Sequence, residues 1–118
     1  MEQTANDSTN KVNGSTSKPF FQSLYTVVKR NGVIVPFNKE RIFLAIEGAF
    51  RDTKDVAPDE PLPKELYKTV CSLTDEVTKE AFSLADKGER LTVEKIQDLV
   101  EVKLMETGHY DVARKYIV

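Results

Sequence analysis

The chain has 118 residues, enough for one small domain with a modest core but not for a catalytic barrel. Charged residues make up 31% and the net charge is −2, a balance that does not advertise a nucleic-acid partner. A single cysteine, Cys71, excludes a disulfide framework and a zinc site built within this chain, and fits a reducing, cytoplasmic setting. No apolar run approaches membrane-spanning length, and no signal-peptide core stands at the start.

Met1 to Pro19 is rich in Asn, Ser and Thr, with Val12 its main aliphatic residue, and reads as a disordered leader. Phe20 and Phe21 mark the approach to the fold and are expected to pack over one edge of a hairpin. Tyr25 to Arg30 and Val33 to Phe37 are β-branched and aromatic runs around Asn31-Gly32. That pattern predicts the hairpin, with a two-residue type I′ turn that needs φ > 0 at both central residues. Pro36 ends ladder pairing and Asn38 is a strong helix N-cap. From Lys39 the apolar spacing becomes helical, through Ile42, Ala45/Ile46 and Ala49/Phe50.

Asp52 to Pro63, with its three prolines and four acidic residues, is expected to be a loop. A second helix from Lys64 to Ala85 carries the stripe Leu66/Tyr67, Val70/Cys71, Leu73/Thr74, Val77, Ala81 and Leu84. Cys71 lies on that stripe and reads as a small buried apolar residue rather than a reactive thiol. Glu89 to Thr92 is extended, with the option of a third strand beside the hairpin. Thr92 caps a third helix, Val93 to Thr107, whose face is Val93, Ile96, Val100 and Leu104, broadened by Leu99 and Val102. Gly108 suits a helix stop, and the lone His109 reads as a turn residue rather than a metal ligand. A fourth helix starts near Asp111 with Val112, Ala113, Tyr116 and Ile117, and its missing stop signal points to a fragment of a longer protein.

No glycine-rich phosphate loop, nucleophile–base pair or catalytic carboxylate pair can be assembled, so this stretch is expected to catalyse nothing. Binding reads differently. Lys29 and Arg30 near the hairpin tip, with Arg41 in the first helical turn, put cations near a helix start, a combination that suits phosphate. The plainer alternative is solvent charges that keep a hairpin edge unpaired. For Asn38 the capping role alone suffices.

VVKRNG followed by VPFNKERI resembles the opening of the ATP-cone, the regulatory nucleotide-binding domain of ribonucleotide reductases. LTVEKIQDLVEVKLMETGHYDVARKYIV resembles the same domain's second half, so the likeness covers Tyr25 to Val118. FRDT and the Leu-Pro-rich loop after it are similar to cones at the N-terminus of class I large subunits of chlamydial type. The resemblance implies an α+β fold, a hairpin or three-stranded sheet packed with four helices, over residues 20–118. It implies ATP and dATP as allosteric effectors, Mg²⁺ on the phosphates, and a parent enzyme kept active by ATP and switched off by dATP through altered oligomerisation. Carried over by residue, Lys29 is expected on the phosphates with Arg30 beside it. Val35, Pro36, Phe37, Asn38, Lys39, Glu40 and Arg41 are expected to wrap the nucleotide. Val93 and Gln97 fall near the base, with Ile42 and Val93 as candidates for stacking on it. Val35 departs from relatives that carry a polar side chain there. Other settings for such a domain are a repressor of reductase genes, whose zinc-ribbon cysteines are not in this sequence, and a purely structural helical module.

Overall fold

The computed structural model of the protein describes residues 25–117. The leader and the Phe20/Phe21 pair lie outside the described residues. The chain divides into one unit that ends at Phe37 and a second, helical unit that begins at Asn38.

In the first unit, β1 (Thr26–Val28) pairs antiparallel with β2 (Ile34–Pro36). Val27 lies opposite Val35, and Val28 opposite Ile34. The connecting turn is not the expected type I′. Gly32 has φ 85°, whereas Asn31 is not among the residues with positive φ. The Gly32 N–H donates to Lys29 O at 2.8 Å and the Lys29 N–H to Val33 O at 2.9 Å. These bonds define a three-residue loop, Arg30-Asn31-Gly32, in which a tight turn is followed by a left-handed glycine. The Asn31 Oδ1 accepts from the Val33 N–H at 3.1 Å, an Asx-type bond that favours this geometry. Register follows from the loop length. A two-residue loop would set Val27 against Pro36, and a one-residue slip reverses which side chains share a face. Here Val27 is buried and Val35 half-buried, on one face of the pair.

The second unit holds four helices: α1 (Lys39–Lys54), α2 (Lys64–Asp86), α3 (Val93–Glu106) and α4 (Tyr110–Ile117). Each helix packs on its neighbour in sequence, and α4 returns to α1 to close the ring, so α1 and α3 occupy opposite corners. Among the described residues the sheet has two strands; within Glu89–Thr92, Thr92 forms an isolated β-bridge rather than part of a third strand. The architecture is α+β, a β-hairpin and a four-helix bundle.

The core comes from the predicted stripes. Ile46 and Phe50 of α1, Val70 and Val77 of α2, Val100 and Leu104 of α3, and Val112 of α4 are all fully buried. Each such side chain contributes about 1.5–3 kcal/mol of burial. Within α4, Val112 and Ala113 are the buried residues. Thr74 and Thr78 also face inward, their hydroxyls donating to Val70 O and Thr74 O at 2.7 and 2.8 Å. Several stripe members lie outside the core. Ala45 is exposed, as are Tyr67, Val102 and Ile117, and Val102, two residues beyond buried Val100, points to the opposite face of α3. Cys71 is half-buried rather than buried. His109 stays in the turn before α4, stacked edge-on against Phe50 with ring centres 5.2 Å apart.

The expected loop begins three residues late, because α1 continues through Asp52, Thr53 and Lys54 to a left-handed Asp55 cap. Arg51 orders the connection from there to α2. One guanidinium nitrogen donates to Ala57 O at 2.7 Å and Glu60 O at 2.6 Å, and another to Glu47 at 3.1 Å.

Candidate functional site

Most of the residues singled out in the sequence fall where the chain passes from hairpin to helix. In the hairpin, Lys29 is the last hydrogen-bonded residue and Arg30 the first of the loop, and both side chains are exposed. Val35 is half-buried and Pro36 exposed, as befits a proline at the strand end. Phe37 is buried, and its N–H donates to Tyr25 O at 2.8 Å, closing the ladder one step beyond Pro36.

The helical unit opens with Asn38, whose extended backbone and side chain cap α1: Oδ1 accepts from the Glu40 N–H at 3.0 Å. The Arg41 N–H donates to Asn38 O at 3.2 Å. The first turn is therefore partly satisfied from within, by the Asn38 cap expected from the sequence. Lys39, Glu40 and Arg41 are all exposed, and Ile42 is buried beneath them. Lys39 Nζ meets Asp75 Oδ1 of α2 at 2.5 Å, a contact between residues far apart in the chain that no local pattern announces. On α3, Val93 is half-buried and Gln97 exposed, one turn apart on the same face. The α1 group and the α3 group belong to helices at opposite corners of the ring.

Taken separately, the hairpin residues and the helical-unit residues each offer charge-assisted hydrogen bonding to an anion. Lys29, Arg30, Lys39 and Arg41 are exposed cations on long, flexible stems. The described residues contain no group of three or more His, Cys, Asp or Glu able to hold a metal ion. No helix among them is long and apolar enough to cross a membrane.

The family model for the ATP cone domain matches residues 25–118. The chain belongs to the ATP-cone family. It is 52% identical over 94 residues to the ribonucleoside-diphosphate reductase subunit alpha of Chlamydia pneumoniae, covering 80% of this chain and 9% of that protein. The Chlamydia trachomatis serovar D subunit alpha is 50% identical over 93 residues, covering 79% of this chain and 9% of the relative. A vitamin B12-dependent ribonucleoside-diphosphate reductase of Thermoplasma acidophilum is 36% identical over 104 residues, covering 78% of this chain and 11% of the relative. The cone thus spans about a tenth of the length of these curated relatives.

Two charged clusters of this cone went unread in its sequence. Lys103 of α3, with only 19% of its side chain exposed, faces Glu106 at 3.3 Å, Glu76 at 3.6 Å and Glu80 at 3.9 Å. The hydrogen bond to Glu106, reinforced by the α2 carboxylates, holds the ammonium pKa above its ordinary 10.5. A shallow depression of about 370 Å³ on the outer face of α2 is lined by Tyr67, Cys71 and Asp75 among others. Within it the Cys71 side chain, hydrogen-bonded to Tyr67, pushes the phenol pKa up. Burial does the same for Tyr116, with Glu101 adding to it. Signals for these clusters existed only in part: the i,i+3 pair of Lys103 and Glu106 is legible, the reach to α2 is not.

Proposed function

We propose that this cone is the allosteric nucleotide-sensing domain of a class I ribonucleotide reductase large subunit. ATP keeps the parent enzyme active in reducing ribonucleotides to deoxyribonucleotides, and dATP turns it off by changing its oligomeric state. Membership of the ATP-cone family carries this reading, and the exposed cations supply the matching chemistry. The relatives that cover most of this chain are reductases by name. The partners implied are the rest of the large subunit and the other reductase subunits of the inhibited assembly, in the cytoplasm. Residues 1–19 act as a leader to a cone that occupies 20–118.

Lys29 holds the triphosphate with Arg30 beside it, while Lys39 and Arg41 supply further cations from the first turn of α1. Val35, Pro36, Phe37, Asn38 and Glu40 shape the nucleotide's surroundings, and Gln97 reaches the base. Ile42 and Val93 provide apolar contact to it. Ile42 is already buried, so its share is made through an edge of the side chain. Mg²⁺ would accompany the phosphate oxygens, without a dedicated protein cage.

ATP and dATP differ by one ribose hydroxyl, so discrimination depends on groups near the sugar. Val35, Ile42 and Val93 offer no hydrogen bond from their side chains, so dATP should bind at least as tightly as ATP. Affinity alone does not switch the enzyme, since a ligand shifts an equilibrium only by binding its states differently. Calorimetry of this chain with ATP and dATP tests the binding. Sedimentation of the full-length parent tests the switch, with a larger species expected under dATP. Equal assembly under both nucleotides, with inhibition by dATP retained, would refute the oligomer mechanism.

A further inference from the structure

The pair between Lys39 and Asp75 joins the first residue of α1 to the middle of α2, at 2.5 Å from Nζ to Oδ1. It differs from the other ion pairs of the helical unit in one respect: its cation belongs to the group proposed to bind nucleotide. Asp75 therefore places a carboxylate of the protein itself on an ammonium that an incoming phosphate needs. The side chains are 46% and 61% exposed, so water and salt screen the contact and the ammonium can change partners at small cost. An ammonium has three donors and can face two anions, yet sharing sets carboxylate and phosphate side by side, where they repel.

We propose that Asp75 is a positioning residue that holds Lys39 against α2 in the nucleotide-free cone and releases it when phosphate binds. Asp75 so lowers nucleotide affinity, and occupancy unfastens the start of α1 from α2. This rests on the nucleotide-binding reading of Lys39. The coupling is reciprocal: the factor by which the Lys39–Asp75 pair weakens nucleotide binding is the factor by which bound nucleotide weakens the pair. The magnitude is that of an exposed ion pair, about two- to fivefold in dissociation constant.

The test is calorimetric titration of the 118-residue chain with MgATP, using wild type, Asp75→Asn, Lys39→Gln and the double variant. Asp75→Asn should bind about two- to fivefold more tightly than wild type and lose affinity more steeply with added NaCl. Lys39→Gln should bind more weakly, and in its background Asp75→Asn should bring no gain, because the carboxylate acts through Lys39. Asp75→Ser serves as a second replacement should the amide find a new partner, and thermal melts confirm folding of each variant. Unchanged or weaker binding by both Asp75 variants overturns the proposal, as does an equal gain with and without Lys39. Those results leave nucleotide binding itself standing, whereas a wild-type chain that binds no nucleotide overturns both readings.

Discussion

Replacing Arg51 with Ala removes a side chain that ties down the connection between α1 and α2. Its guanidinium is hydrogen-bonded to two main-chain carbonyls, at 2.7 Å (Ala57) and 2.6 Å (Glu60), and to Glu47 at 3.1 and 3.4 Å. Only 17% of the Arg51 side chain and 20% of Glu47 is exposed, so this pair is less screened than a surface ion pair. A hydrogen bond to a charged donor contributes about 1.5–3 kcal/mol. The contacts share one group and do not add, and the Glu60 carbonyl is exposed enough for water to take over. We therefore expect a loss of about 2–3 kcal/mol in all. For a domain of this size that lowers the melting temperature by roughly 10–20 °C. Arg51→Lys should recover less than half of it, since one ammonium cannot span the acceptors that a planar fork reaches. Urea unfolding followed by circular dichroism measures both variants. Should Arg51→Ala stay within about 0.5 kcal/mol of wild type, typical of neutral surface changes, the guanidinium does not organise this loop.

Gly32→Ala places a side chain at φ 85° with no atom within 4 Å to clash, so backbone strain alone should cost about 1 kcal/mol. Faster hydrogen exchange at the Lys29 and Val33 amides reports it, and unaltered protection would show that this turn tolerates the strain. Lys103→Met removes the cation among Glu76, Glu80 and Glu106. The folded pKa of Lys103 lies above 10.5, so its stabilisation is complete below that value and fades as pH rises through the folded pKa. The stability gap between wild type and variant should accordingly be constant near neutrality and narrow above about pH 10.5; a gap that widens there contradicts the assignment. Lys29→Ala should weaken ATP and dATP alike by about ten- to hundredfold, because both carry the same triphosphate. An unchanged dissociation constant takes Lys29 out of the site.

Element identity in this chain was a local matter, and local physics sufficed for it. Asn38 and Thr92 cap α1 and α3 through bonds spanning two or three residues, and sequence proximity alone makes those bonds available. The apolar stripes likewise placed Phe50, Val70, Val77, Val100, Leu104 and Val112 in the core, because a 3.6-residue period admits one inward face. The hairpin marks where such reasoning ends. Asn31-Gly32 is compatible with a two-residue or a three-residue loop, since both use a left-handed glycine, and the choice between them sets the register. That choice brought Val27 and Val35 opposite each other, which is a property of two strands and not of one. Arg51 reaches main-chain carbonyls, which every residue has and no residue type signals. Lys39 and Asp75 carry ordinary surface charges, and only the packing of α1 on α2 brings them within bonding distance. For the same reason the cations that suit a phosphate were legible as residues, while the carboxylate that already holds one of them was decided by tertiary structure. Charges interact through space, and spacing along the chain says nothing of distance once the chain has folded back.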